Sequence, residues 1–313
     1  MFRRKTTLLS RERFRAFLEL MRPANIITAH ADILAGVAAS GVIDTSNELT
    51  PGGAPEFRIL PLLVLLLSTT GLYGGGVVLN DVFDARLDAE ERPERAIPSG
   101  RVTRREGAIL GGSLLVMGVV SAFQISPLSG TLACAMSGAV ILYDAFSKHH
   151  AYWGPLNMGV CRGANLLLGI SILPAQVSEL WFMALLPIVY IAAITLMSHG
   201  EVHGGNRRQG FLAVAMVSLV VAATLSLGVL ARYKTLIAFP FIFLFAMRVL
   251  PPFIRAACEP QPERIRNAVM VGVLSLILFD AMVAAGFSGW RYGLIVLLLY
   301  PFSRQLAKYF AVT

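Results

Sequence analysis

Apolar residues along this chain come in long unbroken runs instead of the amphipathic stripes of a soluble core. Residues 59–80 carry no charge, and neither do residues 107–143. A membrane-spanning helix needs about 20 apolar residues, so the second run is long enough for two. Ser126-Pro127-Leu128-Ser129-Gly130 supplies the turn between them. Further runs at 17–41, 155–174, 180–198, 209–231 and 267–288 predict helices of the same kind. Two more, 235–247 and 292–303, are short between charges and could span, re-enter or lie at the interface. The pattern predicts an all-α, polytopic membrane helical bundle. No repeat, low-complexity tract or long linker divides it, so residues 1–313 read as a single integral-membrane domain. The first sixteen residues are basic and polar with no apolar core segment, so no cleavable signal peptide is expected and the first helix serves as its own insertion signal.

Composition agrees with the pattern, at 56% hydrophobic and 15% charged residues. Charge then sets the orientation. If every run spans, only Arg58, Arg232, Lys234 and Arg291 of the 27 basic residues fall on one side. Basic loops stay in the cytoplasm. That places the N-terminus and the segments 83–105, 145–155, 199–208 and 250–265 on the cytoplasmic side of the inner membrane. The net charge of +8 suits anionic lipid headgroups and diphosphates; it calls for neither nucleic acid nor an obligate protein partner. Cys134, Cys161 and Cys258 are odd in number and too far apart for a metal or redox pair, and read as small core-filling residues.

The most informative polar segment is Asn80-Asp81-Val82-Phe83-Asp84-Ala85-Arg86-Leu87-Asp88, at the end of the first uncharged run. Asn80, Asp84 and Asp88 recur every four residues and Asp81 precedes Asp84 by three, so one helix would carry all four on one side. Unpaired carboxylates there would repel, and ionisable groups at a membrane boundary are costly without a purpose. They ask for a cation. Arg92, Arg95 and Arg101 follow within a few residues, which suits an organic diphosphate shared between Mg²⁺ and guanidinium groups. Mg²⁺ keeps several waters and accepts one or two carboxylates plus substrate phosphates.

The order Asn-Asp-x-x-Asp-x-x-x-Asp followed by Arg-Pro-x-Arg-x-x-Pro-Ser-Gly resembles the UbiA superfamily of intramembrane prenyltransferases, and so does Arg22-Pro23 at the start of the first helix. Ala96 stands where the family often has proline. The altered second loop and the C-terminal ending look most like the EboC-type branch, a subgroup associated with secondary metabolism. The resemblance implies nine transmembrane helices, whereas the charge count is best satisfied by ten. It also implies a cavity capped by the loops after the second and sixth helices, and isoprenoid biosynthesis as the setting. The family's second loop usually supplies another Asp motif for a second Mg²⁺. This chain instead has His199, Glu201, His203 and Asn206 there. Glu201 and Asn206 could ligate Mg²⁺ through oxygen, with His203 binding a phosphate oxygen or acting on the acceptor. His199 and His203 at i,i+4 could hold Zn²⁺, although the glycines break the helix. The loop could also pack on the first motif without binding metal.

Tyr143 and Lys148 match positions that bind diphosphate in the family; the lysine could equally snorkel or cap a helix end. Asp144 is either a Lys148 partner at i,i+4 or a polar wall of the acceptor pocket. Arg162 sits inside a span, where it meets the diphosphate or pairs with a buried acid such as Asp32 or Asp280. Gly74-Gly75-Gly76 reads as close helix packing or a flexible bend.

The expected chemistry is Mg²⁺-dependent transfer of an isoprenyl group from a prenyl diphosphate to an electron-rich, aromatic acceptor. Asn80, Asp81, Asp84, Asp88, Glu201 and Asn206 are the candidate metal ligands. Arg92, Arg101, Lys148, Tyr143 and Arg162 are the candidate diphosphate binders. Asp84 anchors the reaction, with Asp144, Glu201 or His203 as base. The rival expectation is a non-catalytic membrane carrier or lipid-binding protein of the same fold.

Overall fold

The computed structural model describes residues 2–43, 59–150, 153–201 and 204–310. Every regular element among them is helical. Seven helices are long and apolar enough to cross a membrane: Ile59–Phe83, Arg104–Phe123, Pro127–Ala145, Pro174–Ser198, Arg207–Val229, Thr235–Cys258 and Pro262–Ser288.

The sequence explains where these helices begin and bend. The apolar run at 17–41 takes in only the end of α1 (Phe2–Met21) and then α2 (Pro23–Ala39), because Pro23 cannot continue a helix and opens the first turn of α2. α3 (Ile59–Phe83) carries the first uncharged run down to the Asp-rich turn. The turn is not one unbroken helix. Helical geometry lapses at Asp84, and the short α4 (Ala85–Glu91) resumes after it, so Asn80 and Asp81 end one helix while Asp88 lies on the next. The backbone bonds from Asp84 N to Asn80 O (2.9 Å) and Asp88 N to Asp84 O (2.8 Å) keep the i,i+4 spacing across the break. A Thr103–Glu106 capping box opens α5 (Arg104–Phe123), and Ser126 with Pro127 opens α6 (Pro127–Ala145).

α7 (Trp153–Ile170) is followed by α8 (Pro174–Leu180) and α9 (Leu185–Ser198), joined through a tight turn, and these in turn by α10 (Arg207–Ser226). α11 (Thr235–Cys258) is not the short 235–247 segment that its charges suggested. It runs on past Arg248, Pro251 and Pro252, and Arg248 reaches the Tyr300 hydroxyl at 3.4 Å. α12 (Pro262–Leu274) and α13 (Leu276–Ser288) form one long apolar limb bent at Ser275. α13 is buried all round and apolar but for Asp280, the signature of a central helix. Tyr190, Phe245 and Phe279 stack about it, with ring centroids 5.1, 5.8 and 6.2 Å apart.

Close helix contacts fix the site-bearing helices. Gly71 and Gly75 of α3 lie against Gly118 and Gly111 of α5, where a Cβ on Gly71 would stand 2.7 Å from the Gly118 backbone. Gly76 faces Val140 of α6. The glycine triplet is thus a packing device, as expected, that seats α3 between two neighbours. After Gly289 the chain returns along α2 as α14 (Trp290–Leu297) and α15 (Leu299–Leu306). Ser288 reaches Ala38 O, Tyr292 reaches Leu34 O and Ser303 reaches Ala24 O, which traces this limb from one end of α2 to the other.

Candidate active site at the Asp-rich turn

The acidic turn is wrapped by basic side chains from three separate parts of the chain. Lys148, just past α6, pairs with Asp84 Oδ1. Arg95, from the loop after α4, contacts both oxygens of Asp88 at 2.8 and 3.0 Å and lies 3.5 Å from Asp81. Arg22 meets Asp81 at 2.8 Å. Its backbone is left-handed, with φ 46°, immediately before Pro23. That conformation costs a non-glycine residue about 1–2 kcal/mol, and the half-buried ion pair with Asp81 is the interaction it makes possible. Arg22 and Arg95 thereby bridge Asp81 and hold the turn against the start of α2.

Deeper in, Asn80 donates its amide to Asp144 Oδ1 at 2.8 Å. Asp144 is 3% exposed, and its Oδ2 has no hydrogen-bond partner. A buried carboxylate oxygen left without a donor is costly. Here it sits beside the Asp84–Lys148 pair, where a ligand's proton or a metal would satisfy it. The Tyr143 phenol lies in the fields of Asp84 and Asp144.

The opposing loop approaches from the end of α9. Burial pushes the Glu201 carboxyl above its ordinary value, while Arg266 and Arg92 pull it back. Arg92 closes α4, so the positive charge felt by Glu201 comes in part from the Asp-rich loop.

Several expected roles are redistributed. Asn206 Oδ1 accepts from Arg208 N at 2.8 Å, so it caps α10. Arg101 pairs with Glu19 and donates to the Glu94 carbonyl. Arg162 is not brought to the turn: it meets Asp32 at 2.6 Å and binds Thr28, deep between α2 and α7. His199 is exposed at the end of α9, and His203 lies outside the described residues. Arg22, known from the sequence only as part of the opening motif, and Arg95, expected there to face a diphosphate, are the groups that organise the acids. Arg95 follows Asp88 by two helical turns, a faint signal; Arg22 is 59 residues from Asp81 and gave none beyond its motif.

The donor set fits Mg²⁺. Asn80, Asp84, Asp88 and Asp144 offer hard oxygens, and among the described residues no three acidic, histidine or cysteine side chains converge into a preformed cage. A site short of protein ligands is what an ion shared with substrate phosphates requires.

Comparison with known proteins decides the family. The model of the UbiA prenyltransferase family matches residues 49–261. The chain belongs to the UbiA prenyltransferase family. It is therefore an integral membrane prenyltransferase by kinship. Digeranylgeranylglyceryl phosphate synthase of Methanosarcina mazei is 29% identical over 74% of this chain and 84% of its own length. The synthase of Methanothrix thermoacetophila is 32% identical over 67% of this chain and 78% of its own. Among solved structures, one concerning digeranylgeranylglyceryl phosphate synthase superposes with a TM-score of 0.64 at 20% identity, covering 88% of this chain and 99% of that one. A UbiA homologue from Archaeoglobus fulgidus bound to DMAPP and Mg²⁺ superposes at 0.52 with 13% identity, over 93% of this chain and 99% of that one. These similarities fix the UbiA fold.

Proposed function

We propose that this chain transfers an isoprenyl group from a prenyl diphosphate, held at the Asp-rich turn, to an electron-rich acceptor at the membrane boundary, with Mg²⁺ as cofactor. The observation that carries this is the buried, unpartnered Asp144 Oδ2 beside Asn80 and the Asp84–Lys148 pair. Asn80, Asp84 and Asp88 are the residues that would hold Mg²⁺, while Asp81, bridged by two guanidiniums, keeps the turn together. The ion, when bound, neutralises charge on the leaving diphosphate. Lys148 binds a phosphate oxygen in exchange for Asp84, and Arg95 is close enough to exchange Asp88 for the same ligand.

The allylic C–O bond breaks with its electron pair leaving on the diphosphate. A lone pair of the acceptor then forms the new bond to that carbon, and the acceptor's proton goes to Asp144 Oδ2. The apolar helices around the turn keep water from the allylic cation. Glu201 stays with Arg92 and Arg266, and we give it a part in closing the loop instead of in ligating metal. The acceptor we assign is a hydroxyl of a glyceryl phosphate lipid, in place of the aromatic ring expected from the residues alone, because the relatives are named for such a product.

The purified protein, given Mg²⁺ and labelled geranyl, farnesyl or geranylgeranyl diphosphate, should prenylate a glyceryl phosphate lipid in preference to phenols. Preference for a phenol would overturn the acceptor assignment. Absence of both turnover and Mg²⁺-dependent diphosphate binding would overturn the enzymatic site. We further read the chain as one domain crossing the membrane ten times, since α14–α15 returns along the whole of α2. A tag at Thr313 is then accessible from the cytoplasm.

A further inference from the structure

The second polar cluster of this protein lies inside the bundle, away from the turn. Asp32 of α2 and Asp280 of α13 are both 0% exposed. Arg162 of α7 sits with Nε 2.6 Å from Asp32 Oδ2, its N–H directed off that oxygen, so charge holds the pair more than a straight hydrogen bond does. Asn165 donates to the same Asp32 Oδ2 at 2.8 Å and to Ala29 O at 2.9 Å. The other Asp32 oxygen has no donor, and neither oxygen of Asp280 has one. Yet α13 packs along α2, and the two carboxyl groups act on each other across that contact.

The nearby donors are all aimed elsewhere. Arg162 donates to the Thr28 hydroxyl and carbonyl, Thr69 donates to Asn165, and the Tyr190 phenol of α9 donates to Gly272 O at 2.8 Å. The ionisable groups that face Asp280 are Asp32, Arg162 and Tyr190; Tyr73 of α3 lies over Arg162, with the guanidinium carbon 5.8 Å from its ring centre. Two acids and one base therefore share a fully buried space, and among the described residues Arg162 is the base that faces them. If both acids were ionised, one negative charge would stand uncompensated in the apolar interior, beside another carboxylate and with no donor to its oxygens.

We propose that Asp32 and Asp280 form an intramembrane proton-binding site, in which one proton sits on Asp280 and is shared with the free oxygen of Asp32 while Arg162 balances the remaining carboxylate. The proton removes the excess charge and supplies the one donor the cluster lacks. It also ties α13, the central helix, to α2 and, through Arg162, to α7. The site takes no part in prenyl transfer, so it stands whatever the acceptor or the fate of Asp144.

Infrared spectra of the full-length protein in nanodiscs at pH 8 test this. The wild type should show a protonated-carboxyl stretch that shifts in D₂O and vanishes in Asp280→Asn. That variant keeps shape and a donor toward Asp32, and should melt near the wild type with unchanged prenyl transfer. Asp32→Asn, which takes the counter-charge from Arg162, should melt several degrees lower. Failure of Asp280→Asn to fold, a carboxyl band that survives it, or equal losses of melting temperature in the two variants would each overturn the proposal. So would a wild-type melting temperature raised by NaCl over choline chloride and unaffected in Asp280→Asn, because the site would then hold sodium and not a proton.

Discussion

The two ionic networks of this protein use the same side chains to opposite ends. At the Asp-rich turn, Asp84 is 19% exposed and Lys148 10%, and each acid meets a base that arrives from another part of the chain. Inside the bundle, Arg162 is 4% exposed and its partner Asp32 0%. A partly wet pair can trade its partner for a phosphate or a metal with little loss, because solvent and ligand replace what is broken. A dry pair cannot, since removing either partner strands a charge. The difference teaches that residue type alone does not set an ion's role: solvent reaches the Asp84–Lys148 pair and can help it exchange partners, and none reaches the Arg162–Asp32 pair. It also explains why Arg162, a reasonable diphosphate binder by sequence, belongs to the fold.

That contrast can be broken in several ways. The largest effect is expected for Asp84→Asn, which should lower prenyl transfer by about a hundredfold or more while leaving the melting temperature nearly unchanged. Retained turnover at saturating Mg²⁺ would remove the central claim about the turn. Arg162→Leu should do the reverse, costing about 3–5 kcal/mol of stability because Asp32 loses its counter-ion; a thermal melt that matched the wild type would erase the distinction between the networks. Lys148→Met should weaken diphosphate binding by about 1.5–3 kcal/mol, read as a raised KM for the donor. The smallest effect belongs to Glu201, at the edge of the site. Its carboxyl is held above the ordinary value by burial, so its contribution favours folding at low pH and is lost as pH rises through the raised value. Glu201→Gln should therefore stabilise slightly at pH 7 and not at pH 4, by less than about 1 kcal/mol given its half-exposed setting and solvent screening. Equal melting shifts at both pH values would contradict that assignment.

Much of the fold was legible because membrane helices are set by length and apolarity. The runs at 59–80 and 107–143 became α3, α5 and α6, with the predicted turn at Ser126 and Pro127. The 235–247 segment was too short because charge was taken as a stop, yet Arg248 is accommodated within α11 by reaching Tyr300. At the site, Asn80, Asp84, Asp88, Asp144 and Lys148 were singled out from spacing and family pattern; the structure pairs Asn80 with Asp144 and Asp84 with Lys148, and gives Asp88 to Arg95. The capping role of Asn206 was not foreseen, because an oxygen near a metal loop and an oxygen capping a helix look alike in sequence.

By itself the sequence determined an all-helical membrane protein, its acidic turn and the kind of ligand that turn invites, since hydropathy and i,i+4 spacing are local properties. Which charges face which was decided only by tertiary structure. Arg22 and Asp81 are 59 residues apart, and Asn165 and Asp32 are 133. No local rule connects such pairs; helix packing does, by placing α2 between α3, α7 and α13 and so choosing which carboxylates stay wet and which are sealed in.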